Sequence, residues 1–207
     1  THLNVFEHFQ PKVPLSHRTP KVLMCANLHP SLQSSVLSQT SAQRLSILDS
    51  MNLWINIAHD QLLEVMRDVD LVVLNDGEVR MLASDENLVQ AAYKVLEMMD
   101  GGILVVKRGE HGVIALHPDG LISMPAYPTS DIMDPTGCGD SFAGAMSQFL
   151  ANGNGEVSRK ELAESLVHAT VTASFTIEKF GSERLRNLTV DDYDIRLEEF
   201  RIISKTS

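Results

Sequence analysis

Residues Ile103-Leu104-Val105-Val106 form an unbroken apolar run that ends in Lys107-Arg108-Gly109. A short apolar run bounded by charge and glycine fits a strand covered on both faces, which is the condition of a parallel sheet. Leu71–Leu74 is a second such run and ends in Asn75-Asp76-Gly77, while Val22–Ala26 is a third and Leu53–Ile57 reads as a fourth. Between the runs lie stretches of helical character: Ser31–Leu48 after Pro30, Asp60–Val69, and Glu86–Met99. The last sets Leu88, Ala91, Ala92, Val95, Leu96 and Met99 on one stripe. Val113–Leu116 and Leu121–Met124, joined through Pro118-Asp119-Gly120, predict a hairpin. Gly139–Leu150, Arg159–Phe175 and Val190–Phe200 predict three closing helices. Residues 1–20, with Pro11, Pro14 and Pro20, read as a loop-rich entry. Alternating strands and helices predict an α/β fold: a mostly parallel twisted sheet with helices on both faces, forming one domain over residues 1–207. Ligands of such sheets sit beyond the C-terminal ends of the strands.

The composition narrows the partners. Of 207 residues, 17 are Lys or Arg and 27 are Asp or Glu, a net charge of −10. An acidic chain is a poor match for nucleic acid or anionic lipid, and no long apolar run suggests a membrane span. A small anion can still bind locally at a helix N-terminus. The two cysteines, Cys25 and Cys138, are far apart and lack zinc-ligand spacing, so a reducing cytoplasm is the expected setting. The start Thr1-His2-Leu3-Asn4 has neither the basic region nor the apolar core of a signal peptide, and no initiating Met.

The sharpest chemical signal is Asp134-Pro135-Thr136-Gly137-Cys138-Gly139-Asp140, followed by Ser141-Phe142-Ala143-Gly144-Ala145. Two glycines around Cys138 allow a tight turn directly before a helix, whose first N–H groups have no intrahelical partner. The turn therefore reads as an anion site, and Asp140 within it as a general base for a hydroxyl attacking phosphate. The plainer reading makes Asp140 a helix cap. A dinucleotide fingerprint fails because Phe142 stands where a third glycine is needed, and no Walker-type Gly-Lys-Ser/Thr occurs. A hydrolase elbow lacks its final glycine.

Together with three further segments, this run resembles the ribokinase-like (PfkB) carbohydrate kinases. Asn75-Asp76-Gly77-Glu78 is similar to their Asn-x-x-Glu. Val105–Gly112 is similar to their strand and Gly-x-x-Gly nucleotide turn, and Ala163–Gly181 to the helix after the signature. The resemblance spans nearly the whole chain and implies a ribokinase-like three-layer α/β/α fold, ATP as phosphoryl donor, and a sugar hydroxymethyl group as acceptor. A nucleoside kinase and a non-catalytic nucleotide-binding regulatory relative are the alternatives. It implies Asp140 as base, with the N–H groups of Gly137, Cys138 and Gly139 as the anion hole. Cys138 replaces the commoner Ala; as a residue it reads as a small buried apolar side chain. Asn75 and Glu78 are implied at Mg²⁺, partly through water, although Asn-x-x-Glu is equally a capping box. Lys107, Gly109 and Gly112 are implied at the nucleotide, and His168 at its base. Asp134, Thr136 and Ser174 are implied at a K⁺ ion. The family's N-terminal third, with its acceptor pocket and lid, has no counterpart in this sequence. An uncovered sheet edge would then favour a homodimer.

Overall fold

The computed structural model describes residues 9–204, so Thr1–His8 of the loop-rich entry lie outside the described residues. The chain order is β1 (Val22–Cys25), α1 (Pro30–Gln39), β2 (Leu45–Asp49), α2 (Asn52–Ile57), α3 (His59–Arg67), β3 (Leu71–Asn75), α4 (Asp76–Ala83) and α5 (Leu88–Met98). β4 (Ile103–Lys107), β5 (Val113–His117), β6 (Gly120–Met124), α6 (Cys138–Asn152), α7 (Arg159–Thr176), α8 (Glu183–Arg186) and α9 (Val190–Ser204) follow. The six strands lie side by side in sequence order. β1 to β4 pair in parallel, and β5 and β6 add antiparallel at one edge.

The apolar runs are buried on both faces, as their composition requires. In β3, Val72 and Leu74 pack with α2, α3, α4 and α5 on one side, while Leu71 and Val73 pack with α6 and α7 on the other. In β4, Leu104 and Val106 face the first group and Ile103 and Val105 the second. A third layer of contacts, around Phe175 and Phe200, fastens α9 onto α7. The three-layer α/β/α expectation is met.

Two local expectations are corrected. Ser31–Leu48 is not one helix: α1 stops at Gln39, where Thr40 turns extended and its hydroxyl donates to the Val36 carbonyl at 2.8 Å. Leu45–Asp49 is the second parallel strand, fully buried, because its backbone is needed between β1 and β3. Leu53–Ile57 is not a strand but lies in the short helix α2. Burial of Trp54 and Ile55 and a 2.8 Å bond from the Trp54 indole N–H to Asn27 Oδ1 override the β-propensity of the run. Two helices are absent from the sequence-based expectation: α4, which starts at the turn that closes β3, and the short α8. Among the described residues, no helix is long and apolar enough to cross a membrane.

Arg44 joins the sheet to the α6–α7 layer. Its guanidinium donates to both oxygens of Glu161 at 2.8 and 2.7 Å, to the Gly155 carbonyl at 2.9 Å and to the Leu150 carbonyl. Its side chain is only 3% exposed. Truncating one partner of a buried pair strands the other charge, so Arg44→Ala should lose about 3 kcal/mol of stability in urea unfolding. A loss below about 1 kcal/mol would mean the pair behaves like a surface one.

Candidate active site

The parallel register brings three polar strand ends together. Asn75 of β3 lies opposite Lys107 of β4, and Asp49 of β2 opposite Val73. The Lys107 ammonium reaches both oxygens of Asp49, at 3.4 and 3.3 Å. It also lies at the start of α6, 3.2 Å from where a Cβ on Gly139 would stand. Asp49 is 4% exposed, accepts the Ser50 N–H at 3.0 Å, and has its own carbonyl held by Gln33 Nε2 at 3.0 Å. Burial pushes its carboxyl above the usual range; Lys107 pulls the other way and Asp140 adds to the rise.

Asp49 is the residue that sequence reasoning missed. Its signal was an acid closing the apolar run Leu45-Ser46-Ile47-Leu48, hidden when that run was assigned to the preceding helix.

Asn75 and Glu78 form a complete capping box at α4. The Asn75 N–H donates to Glu78 Oε2 at 2.7 Å, and the Glu78 N–H to Asn75 Oδ1 at 2.8 Å. Glu78 is buried, which raises its pKa; the Asn75 N–H and Lys107 oppose that rise, and Asp49 reinforces it. Among the described residues, no three His, Cys, Asp or Glu side chains converge on a point that could hold a metal ion. An ion here would take few protein ligands, which fits Mg²⁺, an ion that keeps most of its waters and shares phosphate oxygens.

The glycine turn is held from behind by α7: the N–H groups of Met133 and Asp134 both donate to the Ile177 carbonyl, at 2.9 and 3.2 Å. The Thr136 N–H donates to Asp134 Oδ1 at 3.0 Å, which lowers the Asp134 pKa. Gly137 is left-handed at φ 86°, and α6 begins at the next residue. The Cys138 N–H turns back to the Pro135 carbonyl at 3.1 Å. Of the implied anion hole, that donor is therefore already occupied. Gly139 and the exposed Asp140 stand in the first turn of α6, where N–H groups lack intrahelical acceptors. Burial and the nearby Asp134 raise the Cys138 thiol pKa, which keeps it a neutral, half-buried side chain.

Beside the turn opens a cleft of about 570 Å³, lined by Gly109, Gly112, Tyr127, Cys138, Ala173 and Ile177 among others. Lys107 and Ser174 also face it. Gly112 has φ 83°, and a Cβ there would fall on the Met124 carbonyl oxygen and the Pro125 backbone. The glycine thus lets the β4–β5 turn lie directly against the chain that forms the cleft wall.

One implied residue sits elsewhere. His168 is outside the cleft lining: Nδ1 pairs with the Tyr193 hydroxyl at 2.7 Å and its ring stacks on Phe149 at 4.8 Å, so it is packed between α6, α7 and α9. The Ser174 hydroxyl donates to Val171 and accepts from Arg196 at 3.3 Å. Asp134 and Thr136, by contrast, share one turn.

A mostly parallel sheet with helices on both faces and a glycine turn at a helix start beyond its strand ends defines a three-layer α/β protein with its site at the strand ends. The pfkB family carbohydrate kinase model matches residues 23–187, and the chain belongs to that family. It is 29% identical over 145 residues to the cytidine kinase of Thermococcus kodakarensis, covering 67% of this chain and 50% of the relative. Among solved structures it resembles a Methanocaldococcus jannaschii nucleoside kinase of the ribokinase family, with TM-score 0.72 and 20% identity over 95% of this chain and 60% of that one. A fructokinase from Vibrio cholerae, in its fructose, ADP and calcium-bound form, gives TM-score 0.70 and 15% identity over 92% and 62%. The chain spans a quarter to a half of the length of curated relatives it matches.

Two predictions follow from the geometry. Gly112→Ala should destabilise the protein by about 2 kcal/mol or more, since the backbone region is closed to side chains and a wall stands at the Cβ; an unchanged melting temperature would mean the turn is free to move. Glu78 and Asp49 both have raised folded pKa values, so the folded state binds their protons more readily than the unfolded one. Their contribution to stability is greatest below the ordinary carboxyl range and is lost as pH rises through the folded values. Glu78→Gln keeps an acceptor for the Asn75 N–H and should flatten the fall of stability as pH rises above the ordinary carboxyl range. Parallel curves for wild type and variant would contradict the assignment.

Proposed function

We propose that this chain carries the nucleotide cleft and catalytic turn of an ATP-dependent kinase whose acceptor is the primary hydroxyl of a sugar or nucleoside. The observation that carries the reading is the juxtaposition of the glycine turn, Lys107 and Glu78 at one end of the sheet, beside a cleft walled by the Gly109–Gly112 turn. Membership of the pfkB family supports phosphoryl transfer, and the cytidine and nucleoside kinases among its relatives support a hydroxymethyl acceptor.

The roles divide by chemistry. The cleft takes the nucleotide, with apolar walls at Tyr127, Ala173 and Ile177 for its base. The first-turn N–H groups of α6 at Gly139 and Asp140 and the Lys107 ammonium face the phosphate that moves. Their partial and full positive charges offset the negative charge that spreads over its oxygens. Asp140 accepts the proton of the acceptor hydroxyl as its oxygen attacks the γ-phosphorus, and the bond to the bridging oxygen breaks to release ADP. Glu78 and Asn75, fixed by their mutual bonds, would hold Mg²⁺, which when bound would neutralise phosphate charge. The turn of Asp134 and Thr136 is the place for K⁺, with oxygen donors and no cationic side chain of its own.

Asp140→Asn keeps the size of the side chain and removes the proton acceptor. Turnover should fall about 100-fold or more while nucleotide affinity stays within a few-fold. The assay is ADP release over a panel of sugars and nucleosides, with nucleotide binding followed by calorimetry. Near-normal turnover in the Asn variant would reduce Asp140 to a helix-end residue. In the same assay Glu78→Gln should raise the Mg²⁺ concentration giving half-maximal rate; an unchanged Mg²⁺ requirement would leave Glu78 as a cap alone.

A further inference from the structure

Among the described residues Lys107 is the cation of the strand-end cluster; its charge acts on the carboxylates of Asp49 and Glu78, and Asp140 acts in turn on Asp49. Only one of these carboxylates touches the ammonium. Both Asp49 oxygens lie within 3.4 Å of the ammonium, whereas Glu78 is committed to the Asn75 N–H and Asp140 stands exposed on α6.

Asp49 itself cannot move. It closes a fully buried strand, its carbonyl is clamped by Gln33, and Oδ1 accepts the Ser50 N–H. The Asp49–Lys107 distances, 3.3 and 3.4 Å, exceed the 2.7–2.9 Å of a tight charged hydrogen bond. The carboxylate therefore holds the ammonium in place without saturating it, and donors remain on its other side. That other side is the start of α6, because a Gly139 Cβ would lie 3.2 Å from the ammonium nitrogen.

We propose that Asp49 is a positioning residue: it restrains the Lys107 ammonium under the first turn of α6, so that the charge is held for the phosphoryl group in transit rather than drawn onto the resting nucleotide. The inference rests on the kinase reading above and deepens it. Asp49 touches no substrate and acts through Lys107.

This arrangement predicts an unusual pair of effects. With Asn at position 49 the ammonium is no longer restrained and its charge is no longer shared with a carboxylate. Resting ADP should then bind about threefold more tightly, the scale of one partly screened charge. Turnover should fall about tenfold or more, because a misplaced cation stabilises the moving phosphate poorly. A residue with a purely structural role would weaken both together. Where Lys107 is already absent there is nothing to restrain, so Asp49→Asn should change neither quantity by more than twofold.

The test is a double-mutant cycle on the full chain: wild type, Asp49→Asn, Lys107→Met and the double variant, with Lys107→Arg as a second, charge-preserving background. ADP affinity is measured by calorimetry, turnover by ADP release, and folding by thermal melting. Tighter ADP with slower turnover in Asp49→Asn, and loss of both effects in the Lys107→Met background, establishes the restraint. Weaker ADP binding in Asp49→Asn, or effects that simply add to those of Lys107→Met, overturns it. If Lys107→Met fails to fold, the Lys107→Arg background decides: its longer, forked side chain should shrink both Asp49→Asn effects, and unchanged effects reject the inference. If wild type neither binds ADP nor turns over an acceptor, the kinase reading of this chain fails; if it binds ADP without turnover, the ADP arm of the cycle alone decides whether Asp49 restrains Lys107.

Discussion

The lateral register of β2, β3 and β4 governs what stands beyond the sheet. Parallel pairing with Asn75 opposite Lys107 fixes two polar side chains at one level, and Asp49 reaches the same ammonium from β2, across β3. A one-residue slip in β4 would move Lys107 to the opposite face and bury a charge among the apolar side chains of that layer. Burial on both faces makes such a slip costly, since the four preceding residues of β4 are no more than 7% exposed. The same apolar packing that stabilises the sheet thus holds the Lys107 ammonium within 3.4 Å of both Asp49 oxygens.

The charge balance at that end is unfavourable without a ligand. Asp49, Glu78 and Asp140 share that end with one ammonium; burial raises the pKa of Asp49 and Glu78, and a neighbouring carboxylate adds to each rise. A phosphate arriving alone would add to the negative charge. A divalent cation brought with it would restore balance, so the protein's own electrostatics are consistent with a metal–nucleotide pair and with a glycine turn that offers backbone dipoles instead of more charge. Holding the turn by the Ile177 carbonyl couples its shape to the end of α7, which in turn is packed by α9 through Phe200 and by Arg196 lying over the Phe175 ring at 3.5 Å. α9 therefore supports the site without lining it, whereas α7 contributes Ala173 and Ser174 to the cleft wall.

Much of this was legible in the chain. Unbroken apolar runs at Leu71–Leu74 and Ile103–Val106 could be buried only on two faces, which dictated the layered fold. Gly-x-Gly-Asp ahead of an Ala-rich helix dictated the anion turn. The misreadings came where one pattern serves two structures. Leu45–Asp49 continues the spacing of α1 as well as making a strand, and only the need for a partner between β1 and β3 decides between them. Leu53–Ile57 has strand composition, yet Trp54 finds its hydrogen bond in a helix. Asp49 and the packed His168 were illegible for a different reason: their roles depend on partners 58 and 25 residues away, Lys107 and Tyr193. No local spacing encodes such contacts.

The central claim is that the phosphates of a nucleotide lie against both the Lys107 ammonium and the first turn of α6, with the base in the cleft beside Gly112. A crystal structure of this chain with Mg²⁺ and a non-hydrolysable ATP analogue tests it most directly. The account requires the terminal phosphate within hydrogen-bond distance of the Gly139 or Asp140 N–H and of the Lys107 ammonium, and the base against Ala173 and Ile177. Phosphates bound away from α6, with Lys107 still directed only at Asp49 and the cleft empty, would contradict it.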